Sequence, residues 1–364
     1  MTSIDGPLSG VRVIEFDAIG PVPVAAMLLA DMGCDVVRIA RRPHAGAAWD
    51  DVGGTVLHRS RPHLFLDLKA EADREQAMAI IARADALIEG FRPGVMERLR
   101  LGPDACRPRN PRLVYTRMTG WGQTGPLAER AGHDLNYLAI TGALHAMGSP
   151  GAPPPVPLNM VGDYGGGAMF AVTGMLAALI HARATGEGQV VDVAMTDGVA
   201  ALSAFFHAFR ASGLWHEDRG TNLLDGSAPY YRCYACADGY VAVGALEPQF
   251  FKMLLDGLGL ARAAFPQHER AGWPAMEAAF SAAFADHPRQ HWADVFGATD
   301  ACVTPVLSFA EAAGHPHNAA RGTLVAPGGV VQPAPAPRFA ATPARISPSS
   351  QGKTSVEAVL AGWS

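Results

Sequence analysis

Charge is scarce in this 364-residue chain: Asp, Glu, Lys and Arg make up 17% of it, and the formal net charge is -5. A weak field of that sign excludes binding to nucleic acid through a basic surface. Cysteine is scarcer still. Five widely spaced cysteines, an odd number, argue against a disulfide framework and predict a reducing, cytoplasmic setting. Residues 1–6 show no basic region leading into an apolar run, which predicts no secretory signal. The longest apolar run, residues 165–180, is broken by Thr173 and closed by His181 and Arg183. It falls short of the roughly 20 residues that span a bilayer, so it reads as a buried core helix and no membrane partner is expected.

Two further absences narrow the chemistry. The first apolar strand leads into Asp17-Ala18-Ile19-Gly20-Pro21-Val22-Pro23. Prolines stand where a dinucleotide site needs the glycines of G-x-G-x-x-G, which disfavours a nicotinamide or flavin cofactor. Cys233-Tyr234-Ala235-Cys236 has the spacing of half a zinc site, but no second pair follows and His315 and His317 stand alone. Packing in a hairpin is the preferred reading, and no metal is expected.

What is abundant is apolar surface and turn residues: 49% hydrophobic residues, 40 Gly and 28 Pro. That composition suits a loop-rich globular enzyme, and the length suits two domains. Short apolar strands at residues 11–16, 35–39, 64–68, 86–89 and 113–118 alternate with helical spacing at 24–32 and 72–84. Continuous apolar strands between helices predict a doubly wound parallel α/β sheet covered on both faces. Helices are read at 134–147, 165–183 and 197–210, with a strand at 189–193. Asp238-Gly239 marks a hairpin between strands at 230–236 and 240–245. Helices at 248–258, 273–285 and 290–296 complete a smaller α+β domain. The expected division is a large domain of residues 1–212 completed by the tail 325–364, a linker 213–229, a small domain 230–305 and a return linker 306–324. A short helix near 356–360 ends the tail.

Three ionisable residues sit at or just before expected helix starts. Asp163 precedes Gly165, Gly166 and Gly167, where a ligand can approach the backbone and free N–H groups can receive a developing negative charge; it can equally be a simple N-cap. His133 precedes Asp134, a position that favours the neutral imidazole. It can also be an ordinary loop histidine. Glu247 precedes Pro248 at another helix start; it can cap that helix or orient an imidazole.

Longer motifs carry a resemblance. Residues 7–15 (PLSGVRVIE), Leu29-Ala30-Asp31-Met32-Gly33, Leu66-Asp67-Leu68-Lys69, residues 89–95 (EGFRPGV) and residues 120–126 (GWGQTGP) resemble the family III CoA-transferases. Residues 132–137 (GHDLNY) and 244–250 (GALEPQF) are similar to their α-methylacyl-CoA racemase branch. The resemblance implies that His133 and Asp163 are the acid and base, with Glu247 paired to His133 from the partner chain of an interlocked, ring-like homodimer. It implies CoA contacts at Arg42, Leu66, Lys69, Gly90, Arg98, Gly132, Asp134, Asn136 and Tyr137, with Arg41 an alternative to Arg42; residues 44–58 are unassigned. The substrate implied is a 2-methyl-branched acyl-CoA, epimerised through an enolate, its acyl chain near Ile19, Pro21 and Met160. No separate cofactor is implied, since CoA is part of the substrate. The rival reading is a CoA-transferase with Asp163 as nucleophile. A non-catalytic CoA-binding protein would need fewer of the three ionisable residues.

Overall fold

The computed structural model describes residues 6–41, 54–347 and 352–364. Arg42 and most of the unassigned 44–58 segment lie outside the described residues. The described chain divides into two compact units, one of residues 6–141, 157–203 and 321–364, the other of 142–156 and 204–320.

The first unit is built on a seven-stranded sheet. Its strands are β1 (Arg12–Phe16), β2 (Asp35–Ala40), β3 (Pro62–Phe65), β4 (Ala86–Glu89), β5 (Val114–Thr119), β6 (Val190–Ala194) and a two-residue strand, Gly352–Lys353. The order across the sheet is Gly352–Lys353, β3, β2, β1, β4, β5, β6, and every pairing is parallel. Strands buried on both faces explain the unbroken apolar runs. On one face Val13, Val36, Ile88 and Val193 pack against helices Pro21–Asp31 and Met169–Thr185 through Ala25, Leu29, Ala171 and Met175. On the other, Ile14, Val37, Leu87 and Tyr115 meet helices Glu71–Ile81 and Val356–Gly362.

Three elements depart from their expected bounds. The third strand starts earlier than its apolar pattern, at Pro62, and ends earlier because Asp67 leaves the sheet: its N–H goes to Asp73 (2.7 Å) and its carboxylate accepts the N–H of Lys69 (3.0 Å). The helix expected over 134–147 stops at Ile140, where Gly142 turns into the left-handed region at φ 85°. The expected 165–183 helix starts earlier, as wide π-type turns over Met160–Ala168 that run straight into Met169–Thr185. Together they make 26 residues, long and apolar enough to cross a membrane, yet half of the most apolar stretch is buried within the protein. Its buried side chains are the sheet's own cover.

The second unit holds an antiparallel sheet of β7 (Tyr231–Cys236), β8 (Gly239–Gly244) and β9 (Val303–Pro305). Tyr234, Phe280, Phe284, Trp292 and Phe296 form its core. The expected helix 197–210 is two helices, Met195–Leu202 and Ala204–Ala211, parted at Ser203, whose hydroxyl bonds back to Val199 O at 2.9 Å. The unit boundary falls there. Residues 213–229, expected as a linker, belong to this unit: the Asp225 carboxylate gathers the N–H groups of Gly220, Thr221, Asn222 and Ser227. Residues 142–156 join it too, through Arg219 to Met147 O and Gly220 against Pro150.

Candidate active site

The strand order reverses between β1 and β4, and in open α/β sheets ligands enter at the carboxyl ends of such strands. The loops leaving β1, β4 and β5 therefore form the natural site. They are close-packed. A Cβ on Gly90 would stand 2.8 Å from Val22 Cγ2 and 3.2 Å from Ala18 Cβ. Gly120 lies flat under the ring of Tyr137, and Trp121 meets that ring edge-on at 4.7 Å.

Asp163 sits at the fourth position of the π-type helix, whose N-cap is Asn159. It is therefore not an N-cap, and its side chain is free for other work. Asn159 Nδ2 donates to Asp163 Oδ2 at 3.3 Å, and the same oxygen would be 3.6 Å from a Cβ on Gly20 in the loop after β1. Burial raises the carboxyl's proton affinity, and the Asp134 charge adds to that; the Asn159 hydrogen bond and the His133 charge oppose it. π-type turns inside helices are often found where function places a side chain.

The glycines beside Asp163 do not do what their sequence setting suggests. Gly166 and Gly167 are buried. A Cβ on Gly166 would stand 2.8 Å from Met195 O and 2.9 Å from Val199 Cγ2; one on Gly167 would stand 3.3 Å from Met118 Sδ. They let a neighbouring helix approach, leaving no room for ligand. Nor is the Asp163 N–H free to hold an oxyanion, because it donates to Asp134 Oδ1 at 2.7 Å.

Asp134, expected among the CoA contacts, is 6% exposed and follows His133, the N-cap of helix Asp134–Ile140. Its Oδ1 also faces Gly162, where a Cβ would be 2.5 Å away, and its Oδ2 is buried without a hydrogen-bond partner. Burial raises its proton affinity against the pull of the Asp163 and Gly162 N–H groups. One side chain thus ties the His133 helix to the Asp163 helix. Asn136 fixes the entry to the former: its Oδ1 accepts the His133 N–H at 3.0 Å. His133 itself is exposed. Tyr137 is largely buried, with its hydroxyl donating to Gly132 O. Burial pushes that phenol up to about 12, with the Asp163 charge adding to it.

Four residues expected at CoA lie along the carboxyl edge of the sheet. Leu66 is buried just past β3, and Lys69 is exposed two residues beyond Asp67. Gly90 follows β4, and Arg98 ends the short helix Val95–Arg98. Glu247 lies in the second unit as N-cap of helix Pro248–Gly257; its carbonyl accepts the Phe250 and Phe251 N–H groups at 3.0 Å, and its carboxylate makes no cap. Ile19 is exposed at 85% and Met160 at 59%, while Pro21 is buried. Among the described residues no group of three or more His, Cys, Asp or Glu could hold a metal. Cys233 and Cys236, three apart on β7, point to opposite faces.

The pattern of residues had missed Asn159, whose place ahead of an apolar run is a helix-start signal.

Residues 8–350 match CoA-transferase family III. The chain belongs to that family. Over 340 residues it is 44% identical to the α-methylacyl-CoA racemase of Mus musculus and 43% identical to that of Homo sapiens, covering 93% of this chain and 87% of each relative. A crystal structure of a CaiB/BaiF family protein from Brucella suis shares the fold, with a TM-score of 0.81 at 24% identity over 99% of this chain and 100% of that one.

Proposed function

We propose that this family III protein is an α-methylacyl-CoA racemase that epimerises 2-methyl-branched acyl-CoA thioesters. The observation that carries this reading is the Asp163 carboxyl, released from capping, half-buried and raised in proton affinity, beside a helix that begins at His133. A proton next to a thioester carbonyl is weakly acidic, so inversion needs a base on each face of a planar enolate. His133 takes the proton from one epimer, and protonated Asp163 returns one to the other face. In reverse, the Asp163 carboxylate is the base and the His133 imidazolium the acid. Glu247 of a second copy in a homodimer orients His133. Lys69, Arg98, Leu66, Gly90, Gly132, Asn136 and Tyr137 form the CoA side of the site, with Arg41 or Arg42 meeting its phosphates. Asp134 acts from behind, by holding the Asp163 backbone. The acyl chain lies over Ile19 and Met160. CoA is part of the substrate, no other cofactor takes part, and the protein works in the cytoplasm.

The test is deuterium wash-in. A 2-methylacyl-CoA incubated in D₂O with the enzyme should exchange its α-proton without any acyl acceptor. His133→Ala should suppress loss of that proton from one epimer more than from the other; equal, negligible effects on both would refute the assignment. The family name keeps one rival in view, CoA transfer through an Asp163 anhydride and thioester. Movement of CoA to an added free acid, with no wash-in in its absence, would decide for transfer.

A further inference from the structure

The turn after β4 is held at both ends by one buried guanidinium. Arg117, on β5, is 7% exposed. Its Nε donates to Glu89 Oε1 at 3.0 Å, and its Nη1 and Nη2 donate to the two Glu97 oxygens at 2.7 and 3.2 Å. Each acid then grips the turn. Glu89, fully buried, accepts the Phe91 N–H at 2.7 Å. Glu97 lies on the helix Val95–Arg98, whose N-cap Gly94 sits in the left-handed region at φ 80°. The Arg98 guanidinium folds over that glycine: a Cβ there would stand 3.2 Å from Arg98 Nη1. Arg117 thus reaches the helix that carries Arg98 through Glu97, and the residue after Gly90 through Glu89. Pro93 of the same turn walls a polar groove of about 480 Å³ with Thr124, Glu129 and Arg130.

We propose that Arg117 is a positioning residue for CoA, holding Glu89 and Glu97 so that the 90–94 turn presents Gly90 and Arg98 to the thioester's CoA moiety. The proposal rests on the reading above that this loop holds CoA. Arg117 touches no substrate. A planar fork with five donors can bond two carboxylates at once from one side chain; an ammonium cannot hold both in fixed directions. Glu97 is the informative handle. Its side chain is 45% exposed, so truncating it leaves the buried Arg117–Glu89 pair in place and removes the two hydrogen bonds that tie Arg117 to the Arg98 helix. Arg117→Ala would instead leave Glu89 buried without its partner, a change that threatens the fold itself.

The experiment measures KM and kcat for α-proton exchange, free-CoA affinity by calorimetry and thermal midpoint, for wild type, Glu97→Ala, Glu97→Gln, Arg117→Lys and Arg98→Ala. Glu97→Ala should raise KM about tenfold, equivalent to roughly 1.4 kcal/mol, with kcat within about a factor of two. Glu97→Gln keeps one acceptor for Arg117 and should recover part of the loss. Arg117→Lys should shift KM in the same direction as Glu97→Ala. Combined with Arg98→Ala, Glu97→Ala should add little, because both act through Arg98. An unchanged KM in Glu97→Ala, with Arg98→Ala still weakened, overturns the clamp and leaves the CoA reading standing. An unchanged KM and CoA affinity in Arg98→Ala overturns both. A fall in kcat and thermal midpoint with KM unmoved marks a merely structural role and also overturns it. If wild type binds CoA without exchanging protons, the racemase reading fails, and CoA affinity alone judges the clamp.

Discussion

Gly198→Ala sets two physical effects against each other. Gly198 lies inside helix Met195–Leu202, where replacing glycine by alanine ordinarily stabilises by about 1 kcal/mol. Here the new methyl would meet backbone. It would stand 2.7 Å from both the Cα and the carbonyl carbon of Gly166, and closer still to the Gly166 oxygen. To restore ordinary contact at 3.4 Å with those two carbons alone, the two helices must part by about 0.7 Å, and the oxygen demands more. Neither partner is a flexible side chain, and overpacking of this kind costs about 1–3 kcal/mol, at the upper end when backbone must move. The packing effect wins, and the net loss is about 2 kcal/mol. Gly166 shares its helix with Asp163, three residues away, so the shift also displaces the carboxylate; a misplacement of that order can cost about 100-fold in rate. Urea denaturation should show a lower midpoint, and D₂O wash-in should fall by more than the stability loss explains. An alanine variant as stable as wild type, or more so, would refute the close approach of these helices. Full activity would refute the link to Asp163.

Three further outcomes follow from the packing and charges. Glu89 is pushed up to about 7 by burial, against the pull of the Phe91 N–H and Arg117, so between its ordinary range and about pH 7 the folded chain keeps a proton that the unfolded chain has lost. Its contribution to stability therefore falls as pH rises through that window, and Glu89→Gln should flatten the slope of urea midpoints measured from about pH 4 to about pH 8. Trp363 is 1% exposed and its indole N–H donates to Asp35 at 2.7 Å; Trp363→Ala should cost about 3–5 kcal/mol, read by denaturation. Cys34 and Cys106 are buried, and burial raises both thiols, Cys106 to about 12. Iodoacetamide on the native chain, followed by mass spectrometry, should spare both until urea is added; rapid modification of either would contradict that burial.

The amino-acid sequence by itself determined the parallel sheet, because strands covered on both faces must be apolar at every position, and that pattern survives without any partner in view. It also determined the hairpin at Asp238-Gly239, whose backbone requirement is local. The motifs around His133 and Glu89 were enough to carry the family. Tertiary structure decided which groups are free. Asp163 looked like a helix start, but the helix begins three residues earlier, at Met160, and the Asp163 N–H is taken by a carboxylate 29 residues earlier in the chain. The glycines after it looked like a ligand cradle, but another helix fills that space. Arg117 carried no signal at all, since its partners lie 20 and 28 residues away and meet it only once β4 and β5 pair. Local pattern reports backbone preference and burial; which polar group meets which is settled only when distant segments are packed together.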